Sequence, residues 1–225
     1  TSRLVRISSR RAGSVARVDM QTEQPTTPTA SPMVMVCAAE TAHVRSVRNV
    51  GGAHEYGWGT AFDVASLPDH LLAVCVDAGI LRDVVVLRRA LQVLHGNFAG
   101  ILCDRTAHIA AFVDRIRSYP IFYALHRGVL HIGDDPYAIR DAIGATLNPE
   151  AIEEFSMTGY TTGGETLVAG VRALQAGELL TFADGVLRVE SYYLFFTPDA
   201  PHRRTERLLE ELHEVTGAVM QSLVA

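Results

Sequence analysis

Three cysteines and nine histidines are the residues of this chain best suited to nucleophilic or metal chemistry, and their spacing narrows what they can do. Cys37, Cys75 and Cys103 are widely and unequally spaced. So sparse and odd a set fits neither a disulfide framework nor a C-x-x-C metal site. Cys75 and Cys103 sit in apolar runs, where a thiol reads as a small buried hydrophobe. His43, His54, His70, His95, His108, His126 and His131 are scattered, with no H-x-x-x-H pair on a helix. Exposed or core roles therefore suit them better than metal ligation. His54 to Gly59 (HEYGWG) reads as an aromatic, glycine-rich loop that either lines a pocket or tucks Trp58 against a sheet.

The chain of 225 residues has room for one domain, with or without appendages. Hydrophobic content of 48% with 20% charge is globular composition. The net charge of −5 gives no reason to expect a nucleic acid or an anionic membrane as partner. Residues 1–18 carry five arginines and no acid. They read either as a disordered leader, upstream of a later start such as Met20 or Met33, or as a transit peptide or basic arm. Gln21–Pro32 (QTEQPTTPTASP) lacks apolar periodicity and reads as a linker, so the folded part is expected from near Met33. No apolar run reaches the roughly 18 residues of a spanning helix, and a reducing cytoplasm is the expected compartment.

Strands are expected at Val34–Ala39, Leu71–Val76, Asn97–Cys103 and Ile109–Val113, the last two joined by the polar turn Asp104–His108. Two hairpins follow from turn chemistry: Ile121–Leu125 with Val129–Ile132 around His126-Arg127-Gly128, and Glu178–Phe182 with Val186–Tyr193 around Asp184-Gly185. Leu81–Leu94 has near-helical apolar spacing, with Leu81, Val84, Val85, Leu87 and Leu91 on one side. Pro136–Ile143 begins a helix behind Asp134 or Asp135, and Asn148-Pro149-Glu150 begins another that runs to about Met157. Thr205–Val224 is a long amphipathic helix with Leu208, Leu209, Leu212, Val215, Val219 and Leu223 on one face. Strands packed with helices outside them predict an α+β layered architecture, and no period of 20–50 residues marks a repeat.

Two stretches carry a family resemblance. Leu94–Tyr123 looks like the asparagine synthetase segment of the form L-x-G-M-F-A-F-x-L-x-D … x-R-D-R-x-G-x-x-P-L-Y-Y, matched by Gly96, Phe98, Ala99, Asp104, Asp114, Arg115, Pro120 and Tyr123. Leu147–Phe182 resembles the family's G-Y-x-x-G-x-x-T-L-x-x-G-I-x-x-L-x-P-G run, matched without a gap by Gly159, Tyr160, Gly163, Thr166, Leu167, Gly170, Arg172, Leu174 and Gly177. A hairpin ending in the tyrosine pair Tyr192-Tyr193 follows. The two blocks lie about 25 residues apart, and the likeness extends from about Leu71 to the C-terminus.

The resemblance implies the amino-terminal half of an ATP-dependent amide-forming ligase, with a class II amidotransferase (N-terminal-nucleophile) fold, a four-layer αββα sandwich. Residues 1–32 are then a disordered leader and residues 33–197 the amidotransferase-like domain. Residues 203–225 would be the first helix of a synthetase domain that is otherwise missing. ATP and magnesium belong to that missing half, with its S-G-G-x-D-S loop, and no cofactor is expected in this chain. Glutamine and a separately encoded synthetase are the implied partners, and a homodimer is left open. Gly96 is expected to let the chain turn from helix into strand. For Asp114 and Arg115, at a strand end, an ion pair or turn bond stands beside a role between the glutaminase and synthetase halves.

The chemistry departs from the pattern. Enzymes of this class use a cysteine as first residue of the mature chain, with its own α-amino group as general base. Cys37 is the one positional candidate, and it would have to be freed by internal cleavage. Where the family carries an Asn-Gly-Glu run, Val74–Ile80 reads V-C-V-D-A-G-I, and no G-S-D-x-E stretch exists. Only about 60 residues separate Cys37 from Gly96, which is short for the active pattern. A catalytically inactive scaffold or docking module is the alternative reading.

Overall fold

The computed structural model describes residues 5–11, 14–18, 33–39, 44–50, 53–61, 83–104, 108–195 and 204–224. Twelve strands and four helices are assigned there. In chain order they are β1 (Val5–Arg11), β2 (Ser14–Val18), β3 (Met33–Ala39), β4 (Val44–Val50) and β5 (Ala53–Ala61). Then come α1 (Val84–Val93), β6 (Gly96–Cys103), β7 (Ile109–Val113), β8 (Phe122–His126) and β9 (Val129–Gly133). Last are α2 (Pro136–Ile143), α3 (Pro149–Thr158), β10 (Arg172–Ala173), β11 (Glu178–Ala183), β12 (Val186–Ser191) and α4 (Thr205–Val224).

The strands form two six-stranded sheets. One has the order β12-β11-β7-β6-β5-β4 and is antiparallel throughout. The other has the order β10-β8-β9-β3-β1-β2, in which β3 runs parallel to both of its neighbours, β1 and β9.

The period of two along each strand shows how the sheets are covered. In β6, β7 and β11, one set of residues (Ala99, Ile101, Cys103; Ile109, Ala111, Val113; Leu180, Phe182) packs with Ile121, Tyr123, Leu130, Ile132 and Leu174 of the second sheet and its surroundings. The alternate set (Phe98, Leu102; Ala110, Phe112; Leu179) packs with Leu87, Leu91 and Leu94 at α1. Both faces of these strands are therefore buried, which is why their sequences read as near-continuous apolar runs. On the far side of the second sheet, Ala124 packs with Ile139 of α2 and with Val168 and Val171. α1 thus packs on one sheet and α2 on the other.

Helix starts follow from local chemistry. Asp83 caps α1 by accepting from Val85 and Val86 N–H, Asp135 caps α2 from Tyr137 N–H, and Asn148 caps α3 from Glu150 and Ala151 N–H. Proline occupies the first turn of α2 and α3. Both expected hairpin turns form with positive φ at their two central residues, Arg127-Gly128 and Asp184-Gly185. Gly96 opens β6 at φ +131°.

Several expectations need correction. The leader taken as disordered carries β1 and β2, an antiparallel pair whose first strand is also bonded to β3. Val5, Ile7, Val15 and Val18 supply the β-branched residues for this, while the linker residues 21–32 lie outside the described set. His54–Gly59 is part of strand β5 and not a loop, although Trp58 is tucked in at 3% exposure. Val85, placed on the apolar side of α1, is 58% exposed, because Leu87 and Leu91 define the buried stripe. The strand expected at Leu71–Val76, with Cys75, lies outside the described residues.

Two histidines prove to be core residues. His108 is fully buried, its Nδ1 2.9 Å from an Asp104 carboxylate oxygen, and it closes the β6–β7 turn through backbone bonds to Asp104. His131 in β9 is also buried, and its Nδ1 has no hydrogen-bond partner among the described residues. Burial first, and the nearby His126 second, hold its pKa below the ordinary value. The unfolded chain therefore binds the proton more readily. His131 contributes stability that is complete above a pH of about 6.5 and is lost as pH falls through the lower folded value. Urea midpoints measured at pH 7.5 and 5 should drop less for His131→Leu than for the unchanged protein. Equal drops would remove His131 from the account.

Candidate functional site

Three of the residues singled out by resemblance, Phe98, Asp114 and Gly177, meet at the end of β7. Asp114 is 1% exposed. Its carboxylate accepts from the N–H groups of Phe98 at 3.0 Å, Ile116 at 2.8 Å and Ser118 at 3.1 Å. Its backbone N–H donates to the Phe98 carbonyl at 2.9 Å, and its carbonyl accepts from Gly177 N–H at 2.9 Å. Phe98 and Asp114 of the first block and Gly177 of the second thus meet at one carboxylate and its peptide. Gly177 is required there. At φ +68° a Cβ would lie 2.6 Å from the Tyr193 carbonyl oxygen, and the Gly177 carbonyl accepts from Tyr192 N–H.

Arg115 does not pair with Asp114. Its guanidinium donates to the Gln92 carbonyl at 2.8 Å and lies 4.6 Å from the centre of the Tyr193 ring. Gln92 in turn donates to the Tyr192 carbonyl at 3.0 Å, and the Tyr192 hydroxyl donates to the Val113 carbonyl at 2.7 Å. Burial, reinforced by the Asp114 carboxylate, pushes that hydroxyl's pKa well up, so it remains a donor. The tyrosine pair is therefore the clasp between α1, β7 and the strand β12 that precedes it. Asp114 makes turn and strand-end bonds, and Arg115 reaches Gln92 and Tyr193.

The remaining matched residues shape the segment between α3 and β11. Gly159 ends α3 at φ +81°, its N–H bonded to the Phe155 carbonyl. Thr166 is buried; its hydroxyl donates to the Val171 carbonyl at 2.8 Å and accepts from Val168 N–H at 3.1 Å, closing a turn that contains Gly170. Arg172 and Ala173 form β10 against Tyr123 and Phe122, so the second block adds an edge strand to the first. Pro120 precedes β8 and is exposed. Tyr160 and Gly163 lie on the exposed loop after α3.

The candidate nucleophile lies elsewhere. Cys37 is the fifth residue of β3, in register with Ser8 of β1 on one side and Gly133 of β9 on the other. Cys103 is 1% exposed, and burial, followed by the Asp104 charge, pushes its pKa up to about 12. Such a thiol stays protonated and unreactive at neutral pH. Among the described residues no group of three or more His, Cys, Asp and Glu side chains is arranged to hold a metal ion. None of the helices described there is long and apolar enough to cross a membrane.

One link escaped sequence reasoning. Trp58 Nε1 donates to an Asp134 carboxylate oxygen at 3.1 Å, joining β5 of one sheet to the end of β9 in the other. Asp134 and Asp135 were equivalent cap candidates by sequence. The structure divides them, with Asp135 on the helix and Asp134 on the tryptophan.

Two sheets that share a core, helices packed on them and a pair of motif blocks knotted at Asp114 define a mixed α/β domain. Residues 13–193 match the family described as the glutamine amidotransferase domain, and the chain belongs to that family. Among solved structures it is similar to the glutamine phosphoribosylpyrophosphate amidotransferase from B. subtilis complexed with ADP and GMP. That match has 14% identity and a TM-score of 0.38, over 70% of this chain and 32% of the other. Another similar structure is that of the allosteric regulatory enzyme of purine biosynthesis, at 13% identity and TM-score 0.36, over 66% of this chain and 31% of that one. The chain spans about a third of the length of each. No curated protein matches it in sequence.

Proposed function

We propose that the chain is the amino-terminal, glutaminase-like half of an asparagine synthetase-related ligase. Such an enzyme activates a carboxylate with ATP and magnesium and transfers to it nitrogen from glutamine or free ammonia. The meeting of Phe98, Asp114 and Gly177 carries this reading, because residues matched in both asparagine synthetase-like blocks serve one structural knot. The order helix, sheet, sheet, helix supports an αββα sandwich as its frame. Within the reading, the ATP-binding loop is supplied by another polypeptide segment. DNA directly downstream is expected to encode an S-G-G-x-D-S loop in frame or in a neighbouring gene. A neighbourhood with neither would overturn the assignment.

A specific observation favours an inactive variant of this half. At Cys37 the chain runs through a strand bonded on both sides, so the nitrogen of Cys37 is a peptide nitrogen and cannot act as a base. Freeing it would sever β3 between Val36 and Cys37. In this reading the domain serves as a docking module for a synthetase or other biosynthetic partner. Purified chain incubated with glutamine is expected to release no more ammonia than Cys37→Ala. A diazoketone analogue of glutamine is expected to leave Cys37 unlabelled in intact-mass measurements. Labelling of a chain that begins at Cys37 would restore the active glutaminase.

A further inference from the structure

We propose that the cleft bounded by α2, α3 and the loop after α3 is a binding site for a small aromatic carboxylate. This goes beyond the ligase reading and does not depend on it, since Cys37, the residue proposed for glutaminase chemistry, is not among those that line the cleft.

The cleft has a volume of about 360 Å3, within the range of small-molecule sites. Its apolar walls are aromatic: Phe122 at the start of β8, Tyr137 of α2, Phe155 of α3 and Tyr160 of the loop. Tyr137, Phe155 and Tyr160 are 49%, 45% and 63% exposed. Scattered exposed aromatics need no explanation, but three around one hollow form a recognition surface.

The loop that carries Tyr160 is held in place. Gly159 N–H donates to the Phe155 carbonyl at 2.8 Å and Tyr160 N–H to Thr158 Oγ1 at 3.3 Å. Thr161 Oγ1 donates to the Glu165 carbonyl at 2.8 Å, and Thr162 N–H to the Glu154 carboxylate at 3.1 Å. The backbone that carries the tyrosine is thus held by its own loop. A loop already held in place has less freedom to lose when a ligand stacks on its aromatic side chain.

Charge selects the ligand class. Glu165 is the one acid among the lining residues, and Arg172 pairs with it at 3.0 Å. Arg117 also lines the cleft and has no ion-pair partner among the described residues. It is held at φ +55°, a conformation L side chains rarely adopt. A guanidinium with no ion-pair partner among the described residues, set amid aromatic walls, is complementary to a monoanion with a flat apolar body. The planar fork of the guanidinium matches a carboxylate.

The test is calorimetric titration of the full chain with 2-naphthoate and with its neutral isostere 2-naphthamide. The carboxylate is expected to bind at least about tenfold more tightly, and Arg117→Gln to bring the two within about twofold. Tyr160→Ala is expected to weaken both alike, with an unchanged thermal melt because the ring is exposed. Should Arg117→Gln fail to fold, Arg117→Lys reads the same preference, which should shrink without vanishing. Equal affinity for the two probes, binding of neither, or a carboxylate preference that survives in Arg117→Gln would each overturn the proposal.

Discussion

Asp114→Ala is expected to destabilise the domain by about 3–5 kcal/mol, because three N–H groups lose their shared acceptor. The substitution leaves the buried N–H of Phe98 and the part-buried N–H groups of Ile116 and Ser118 without their acceptor. The buried donor left unpaired costs roughly 1–3 kcal/mol, and the two part-buried donors add less each because water can reach them. Asp114→Asn keeps an acceptor oxygen and should lose less. Urea unfolding followed by far-UV circular dichroism measures both. A loss below about 1 kcal/mol for the alanine variant would mean that the turn bonds are made in some other way. Because Gly177 N–H also bonds to Asp114, amide exchange at the start of β11 should quicken along with that in β6 and β7.

Trp58→Ala should cost about as much, roughly 3–5 kcal/mol, through a different mechanism. Trp58 is 3% exposed in the core between the sheets, so truncation opens a cavity that the surrounding strands cannot fill. It also removes the indole N–H donor to Asp134. Trp58→Phe keeps most of the volume and loses the bond, and about 1–2 kcal/mol is expected. Trp58 is the one tryptophan of the chain, so its emission reports the inter-sheet core directly, while the variants are followed by circular dichroism. An exposed-type emission spectrum in the native protein would contradict the burial on which this prediction rests.

What could be read from the sequence was what local chemistry decides. α2 and α3 announce themselves because a capping candidate, Asp134 or Asp135 in one case and Asn148 in the other, is followed by a proline that fits the first turn. The two hairpins were legible because Arg127-Gly128 and Asp184-Gly185 can adopt the positive φ that such turns require. β6 and β7 were legible as apolar runs, and the runs themselves signalled cover on both faces.

What was not legible depends on distant partners. β5 looked like a loop because Gly57 and Gly59 interrupt it. Yet a Cβ at Gly59 would lie 2.0 Å from the Asn97 carbonyl oxygen on the adjacent strand, so glycine is there for strand contact. β1 and β2 were hidden by their arginines and serines, since polar strands at a sheet edge have little hydrophobic pattern to show. Of the site residues, Asp114 could be located by motif, but its three acceptor bonds could not, as they depend on how the strand end meets the turn. The aromatic cleft was invisible, because Arg117, Phe122, Tyr137 and Tyr160 come together only when α2, α3 and β8 are assembled.

The place of β3 in its sheet bears on how the chain assembles as it leaves the ribosome. β4, β5, β6 and β7 are neighbours in the same order in which they are synthesised, so that sheet can grow strand by strand. β3 emerges before all of them, but one of its two partners is β9, some 90 residues later in the chain. Until β9 arrives, one backbone edge of β3 stays open to other chains, and closing so long a loop is slow. While the stretch between Ala39 and Val129 is being made, that edge of β3 is open to pairing with another chain.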